Sequence, residues 1–289
     1  HRVASPRGCA NGAPMALRDD LVIARRIARE AGAILMDIYG TDFDVAYKGK
    51  ANPVTEADTK ANAFIVKELR AAFPGDGIVA EETADRSDAT GEGRCWYVDP
   101  LDGTKEFIAK NGEFAVMLGL TIDGESKLGV VFQPAKDKLY AGIVGEGATL
   151  TEGGEEKPLE VTGTAAPADL RLVVSRSHRS SSIDRVVQEL GIQNETKSGS
   201  VGLKVGLIAE QIADLYVHVS DKASAWDACG PEAILRAAGG RFTRLDGKPF
   251  HYAGQDVKTS GGILACNAAA FEAVLPVAHE VGKASGLAV

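Results

Sequence analysis

From Leu21 to Ile38 the apolar residues Leu21, Ile23, Ile27, Ala31, Ile34, Leu35 and Ile38 recur at helical spacing, and Gly40 stops the pattern. A loop marked by Gly, Asn and Pro follows. A second helix is predicted over roughly Glu56–Phe73, with Ala57, Ala61, Phe64, Ile65 and Leu69 inward and Pro74-Gly75-Asp76-Gly77 ending it. Gly77–Ala80 reads as a short apolar strand that delivers Glu81-Glu82 at its C-terminal end, and 83–93 as a polar loop. Strands are predicted at Cys95–Val98, Phe114–Ile122, Lys127–Phe132 and Leu139–Val144, with Asp123-Gly124 and Lys136-Asp137 as hairpin-like turns.

Residues 145–169, rich in Gly, Glu, Thr and Pro, read as a join between two halves. The pattern then alternates: strand Leu170–Ser175, helix Ser182–Leu190, helix Val201–Gln211, strand Ala213–Val219, helix Trp226–Ala238, strand Ile263–Ala265 and a final helix. No internal repeat or low-complexity tract interrupts it. Strands in series followed by alternating strands and helices predict an α+β half with an antiparallel sheet (residues 15–160) packed on an α/β half (161–289). Residues 1–14, polar and rich in Gly, Pro and Ala, read as a poorly ordered arm, with Met15 a candidate natural start.

The chain has 289 residues, enough for one large domain or two moderate ones with real cores. Its net charge of −8 argues against a protein that coats nucleic acid, without opposing a small anionic substrate. No apolar run reaches the roughly 18 residues that span a membrane. The cysteines Cys9, Cys95, Cys229 and Cys266 form no C-x-x-C pair, so reduced thiols and a cytoplasmic location are expected.

The densest chemistry is DPLDGTKEF (99–107), directly after an apolar run. Alone it admits two accounts. Asp102 caps a helix beginning near Gly103, with Pro100 and Gly103 fixing a tight turn. Alternatively, both carboxylates and the Leu101 carbonyl face one point, as hard oxygen ligands of Mg²⁺, and the small glycine lets an anion approach the following amides. Glu81 leaves a strand end as Asp99 does, or is one of a solvated pair. Asp227 opens an apolar helix and Asp58 opens the second helix, where carboxylates are also good caps.

Spacing supplies what the single signals lack. NPVTEAD (52–58), AEE (80–82), DPLDGT (99–104) and WD (226–227) stand in the order found in the lithium-sensitive, Mg²⁺-dependent phosphatases that include the inositol monophosphatases. The chain resembles that superfamily from about residue 20 to 275. Lys105-Glu106-Phe107, Asn111-Gly112-Glu113-Phe114, Ser175-Arg176-Ser177-His178, Gly199-Ser200 and Leu203-Lys204 are most similar to the bacterial-type 3'(2'),5'-bisphosphate nucleotidases.

The resemblance implies a layered αβαβα sandwich. It implies that Glu81, Asp99, the Leu101 carbonyl, Asp102 and Asp227 hold two or three Mg²⁺ ions. Glu81, Asp58 and Thr104 are the expected catalytic residues, Thr104 polarised by Asp58 to orient and deprotonate the attacking water. Gly103 and Thr104 would hold the phosphate through their amides. Lys105, Ser175, His178, Ser200, Lys204, His218 and Asp227 are the candidate substrate contacts, though the lysines read equally as solvent charges and His178 as a helix cap.

The implied activity is removal of the 3'-phosphate of adenosine 3',5'-bisphosphate by direct attack of water, extending to 3'-phosphoadenylyl sulfate, in a monomer or homodimer. An inositol or other small sugar-phosphate phosphatase is the alternative. A metal-binding scaffold without catalysis would lack a ligand or the Asp58/Thr104 pair, and none is missing.

Overall fold

The computed structural model describes residues 13–42, 44–48, 52–83, 85, 87–177, 179–254 and 257–289. The first helix, α1 (Ala13–Tyr39), buries Ala24, Ile27, Ala28, Ala31 and Leu35 completely, a stripe at helical spacing. It begins before Leu21, so residues 13 and 14 belong to a helix rather than to the expected arm. The stretch expected as a loop holds a hairpin of β1 (Val45–Lys48) and β2 (Asn52–Thr55). The helix α2 (Glu56–Ala72) follows at once. Thr55 and Asp58 cap it reciprocally: the Thr55 amide donates to Asp58 Oδ2 at 2.7 Å and the Ala57 amide to Thr55 Oγ1 at 3.1 Å.

Seven strands make the larger sheet, in chain order across it: β3 (Gly77–Ala80), β4 (Arg94–Asp102), β5 (Ala115–Ile122), β6 (Glu125–Gln133), β7 (Lys138–Ile143), β8 (Gly147–Glu152) and β9 (Glu155–Leu159). All neighbours are antiparallel except β3 and β4, which run parallel and so carry Glu81 and Asp99 out at the same end. The short α3 (Thr104–Ile108) lies between β4 and β5. The expected join at 145–169 is corrected here, since it contains β8 and β9 around Gly153-Gly154, both at positive φ. Their missing apolar signal suits an outer edge, where Glu155, Glu156 and Lys157 are exposed and discourage further pairing.

The smaller sheet has the order β11-β10-β12-β14-β13, from β10 (Arg171–Ser175), β11 (Asn194–Ser198), β12 (Leu215–His218), β13 (Arg241–Thr243) and β14 (Ile263–Cys266). β10 pairs in parallel with β11 and β12, and β14 antiparallel with β12 and β13. The helices are α4 (Ser181–Leu190), α5 (Val201–Ala209), α6 (Ala225–Ala237) and α7 (Phe271–Ala284).

These elements stack as five layers. Helices α1 and α2 cover one face of the large sheet, α5 and α6 lie between the sheets, and α4 and α7 cover the far face of the small one. The αβαβα order is thus as expected. The middle layer is thin because the large sheet is nearly bare beneath α6. Gly119, Gly129 and Gly142 are paired across β5, β6 and β7, and a Cβ on Gly129 would lie 2.0 Å from the Gly230 carbonyl oxygen.

Candidate active site

Six chain segments meet at one cleft of about 270 Å³, which is lined by Glu81, Asp99, Leu101, Asp102, Thr104 and Asp227 together with Ser175, Ser200, Lys204, Tyr216 and His218. Glu81 follows β3, and its amide donates to the Val98 carbonyl at 3.0 Å, prolonging the parallel pair. The pairing of β4 with β5 slips between Asp99 and Asp102, which accommodates the Pro100 turn. Within it the Leu101 amide donates to Asp99 Oδ1 at 2.9 Å.

Asp227 is the third residue of α6 and caps it, accepting the Ser224 amide on Oδ2 at 2.7 Å. Asp99, Asp102 and Asp227 each offer one oxygen, and the three lie within 4.8 Å of one another. Glu81 lines the same cleft outside that triplet. Burial first, then the charges of Glu81, Asp102 and Asp227, pushes the Asp99 carboxyl well above the usual range. Burial and the charges of Asp102 and Glu81 push Asp227 up in the same way. So much negative charge taken from water calls for a cation, and hard oxygens at this spacing fit a divalent one.

Asp102 has a second task. Its Oδ2 accepts the Ser200 hydroxyl at 2.6 Å and the amides of Val201 at 2.5 Å and Gly202 at 3.2 Å. A carboxylate of the DPLDGT stretch therefore caps α5 from another part of the chain. Burial still raises its pKa, against the pull of Lys204 and these hydrogen bonds. Ser200, at φ 50° and ψ 136°, occupies a backbone region that costs a side-chain-bearing residue about 1–3 kcal/mol. It is held there by Asp102, by the Leu203 amide on its Oγ and by Lys204 Nζ on its carbonyl at 2.6 Å.

Asp58 is buried behind the cleft. Thr104 Oγ1 stands 3.3 Å from Asp58 Oδ1 and 3.3 Å from the Leu101 carbonyl, while Thr55 donates to Asp58 Oδ2 through its amide at 2.7 Å and its hydroxyl at 2.8 Å. Burial raises the Asp58 pKa, partly offset by Thr55 and helped by the charge of Glu82. Gly103 adopts φ 99°, and a Cβ there would stand 2.9 Å from the Glu113 carbonyl oxygen, so the turn into α3 requires glycine.

Of the sequence-derived substrate candidates, Gly103, Thr104, Lys105, Ser175, Ser200, Lys204, His218 and Asp227 line the cleft. His178 lies outside the described residues. The Lys204 ammonium is buried beneath the wall, donating to the Ser200 carbonyl and lying 5.1 Å from the centre of the Tyr216 ring. Tyr216 escaped the sequence reading, yet it precedes His218 by two on a strand and so shares its face. Glu106 was also missed; it is buried and accepts the Ser177 hydroxyl at 2.6 Å.

Carboxylates gathered at strand ends and a helix start, beside a hydroxyl tied to a further carboxylate, form a candidate metal site in a protein of layered αβαβα architecture. The sequence profile of the inositol monophosphatase family matches residues 16–283, and the chain belongs to that family. It is 37% identical over 230 residues to the 3'(2'),5'-bisphosphate nucleotidase CysQ of Escherichia coli strain K12, covering 78% of this chain and 91% of that protein. The structure of an IMPase of Thermotoga maritima superposes with a TM-score of 0.77 at 26% identity, covering 93% of this chain and all of that one. CysQ from Bacteroides thetaiotaomicron superposes at 0.73, also with 26% identity, covering 88% and 98%.

Proposed function

We propose that this chain is a Mg²⁺-dependent phosphate monoester hydrolase that removes the 3'-phosphate of adenosine 3',5'-bisphosphate, leaving AMP and inorganic phosphate, and that also accepts 3'-phosphoadenylyl sulfate. The carrying observation is the triplet of buried Asp99 with half-buried Asp102 and Asp227, beside the Asp58–Thr104 contact, in a chain 37% identical to CysQ. Glu81, Asp99, the Leu101 carbonyl, Asp102 and Asp227 would hold two or three Mg²⁺ ions. When bound, the metal neutralises phosphoryl oxygens, lowers the pKa of water and stabilises the leaving alkoxide.

The remaining chemistry belongs to the chain. The Thr104 hydroxyl donates to Asp58 and accepts from water, fixing the water in line with the phosphorus. Water's oxygen forms the new P–O bond, its proton passing through Thr104 to Asp58, while the bond to the 3'-oxygen breaks and that oxygen leaves as an alkoxide that takes a proton from solvent water to become the ribose hydroxyl. The amides of Gly103 and Thr104 hold the phosphate. Lys105, Ser175, His178, Ser200 and His218 are the proposed contacts to the rest of the nucleotide, and Lys204 steadies the wall they share.

An inositol or other sugar phosphate is the second reading. It is favoured by the commitment of Lys204 to backbone carbonyls, which removes a cation from service to a second phosphate. A parallel assay with Mg²⁺ decides: faster turnover of the bisphosphate nucleotide supports the nucleotidase, and equal or faster turnover of inositol 1-phosphate overturns it. Lithium at millimolar concentration is expected to inhibit either activity.

The partner is a small phosphorylated molecule, the working unit a monomer or homodimer. Cys95, Cys229 and Cys266 are buried free thiols, consistent with the proposed cytoplasmic location. Among the described residues no helix is long and apolar enough to cross a membrane.

A further inference from the structure

Three carboxylates of the stretch from 102 to 113 reach across to the part of the chain that carries the small sheet. Asp102 holds the start of α5, Glu106 accepts from Ser177, and Glu113 takes both Arg176 and Gly199. The last is the most elaborate. Arg176 forks onto Glu113 with Nε to Oε2 at 2.6 Å and Nη2 to Oε1 at 2.5 Å, and the Gly199 amide donates to Oε2 at 2.7 Å. Nη2 also donates to the Lys197 carbonyl at 3.1 Å, so one guanidinium joins the end of β11 to the loop before β5.

A surface ion pair is ordinarily worth little. This one is bidentate, and the Glu113 side chain keeps only 18% of its exposure. Contact continues through the backbone: a Cβ on Gly199 would lie 2.4 Å from the Glu113 carbonyl oxygen and 2.5 Å from Glu106 Cγ.

We propose that Glu113, acting through Arg176 and the Gly199 amide, is a positioning residue that presets the Gly199–Ser200 corner of the cleft for the part of the substrate beyond the scissile phosphate. The inference rests on the phosphatase reading of the cleft. Asp102 grips the corner from the metal side through three bonds to Ser200, Val201 and Gly202, and Glu113 grips its other end at Gly199. Releasing the second grip loosens the wall while the first keeps the metal side in place. A contact made equally to bound substrate and transition state appears in KM rather than kcat.

The test compares wild type with Glu113→Gln, Arg176→Ala, the double variant and Gly199→Ala, which displaces the corner without altering charge. KM for adenosine 3',5'-bisphosphate should rise about tenfold, roughly 1.4 kcal/mol, in each single variant. In the Glu113 and Arg176 variants kcat and the Ki for inorganic phosphate should stay within about twofold. The double variant should be no worse than the worse single. Unchanged KM, additive losses in the double variant, or equal losses in kcat, KM and phosphate binding would each overturn the proposal. The wild-type ranking of nucleotide over inositol 1-phosphate tests the nucleotidase reading separately. Should inositol 1-phosphate win, the same variant-to-wild-type ratios are read on that substrate.

Discussion

Asp99 carries two opposed demands, and a single substitution separates them. It is 2% exposed and surrounded by Glu81, Asp102 and Asp227, so its charge is unwelcome in the metal-free protein and, under the proposed metal assignment, required once a cation is bound. Asp99→Asn removes one like charge at nearly constant shape. The metal-free variant is therefore expected to melt higher than metal-free wild type, while the rise in Tm on adding Mg²⁺ shrinks or vanishes. Turnover should fall by roughly two to three orders of magnitude, the loss seen when one fixed electrostatic partner of a transition state is removed. Calorimetric scans with and without Mg²⁺, beside initial rates, check both signs. Near-normal turnover would refute the metal assignment. Thr104→Ala is the companion: with Thr104 Oγ1 between Asp58 and the Leu101 carbonyl, kcat should drop about 10²- to 10⁴-fold with little change in the midpoint of Mg²⁺ activation.

The depth at which α6 sits on the large sheet fixes where Asp227 points, and glycines set that depth. Gly119, Gly129 and Gly142 form a row across three strands; Gly230 of α6 meets the first two and Ile234 and Ala237 meet the third, so helix and sheet backbones are nearly in contact. Gly129→Ala would place a methyl 2.0 Å from the Gly230 oxygen, where only backbone can yield. A loss of about 1–3 kcal/mol in urea unfolding is expected, with reduced turnover in the remaining folded enzyme as Asp227 is lifted. Nothing local in the sequence marks these glycines; the close approach that needs them arises only when distant layers stack. Elements with apolar periodicity were legible, as α2 and β3 show. The hairpin β1–β2, the edge strands β9, β11 and β13, and β8 beside the edge were not, because short or largely exposed strands leave little apolar pattern. The convergence of Asp99, Asp102 and Asp227 was legible because a short loop and a helix start carry them locally. The roles of Glu106, Glu113 and Lys204 depend on partners some 60 residues or more away or on the path of the backbone; Lys105-Glu106-Phe107, Asn111-Gly112-Glu113-Phe114 and Leu203-Lys204 named them without placing them.

At the scale of the whole molecule, the layer between the sheets contains one ionisable group that ties global stability to pH near neutrality. Glu232 of α6 is 2% exposed, accepts the Tyr252 hydroxyl at 2.6 Å and Arg236 Nη1 at 2.9 Å, and is pushed up to about 7 by burial, which these partners only partly offset. The unfolded chain would titrate this carboxyl near its ordinary 4.5. Between those values the folded protein binds the extra proton, so stability falls as pH rises. The contribution is fully present below about pH 4.5 and lost once pH passes about 7, an upper bound of about 3 kcal/mol. The cleft carboxylates Asp99, Asp102 and Asp227 are shifted in the same direction, so the comparison must be a difference. Urea unfolding of wild type and Glu232→Gln, with Mg²⁺ saturating, is measured from pH 5 to 8. The wild-type advantage over the variant should shrink steadily across that range, because glutamine keeps the shape and has no proton to lose. A difference that stays constant would show that Glu232 is already charged in the folded core, with Arg236 and Tyr252 compensating it fully.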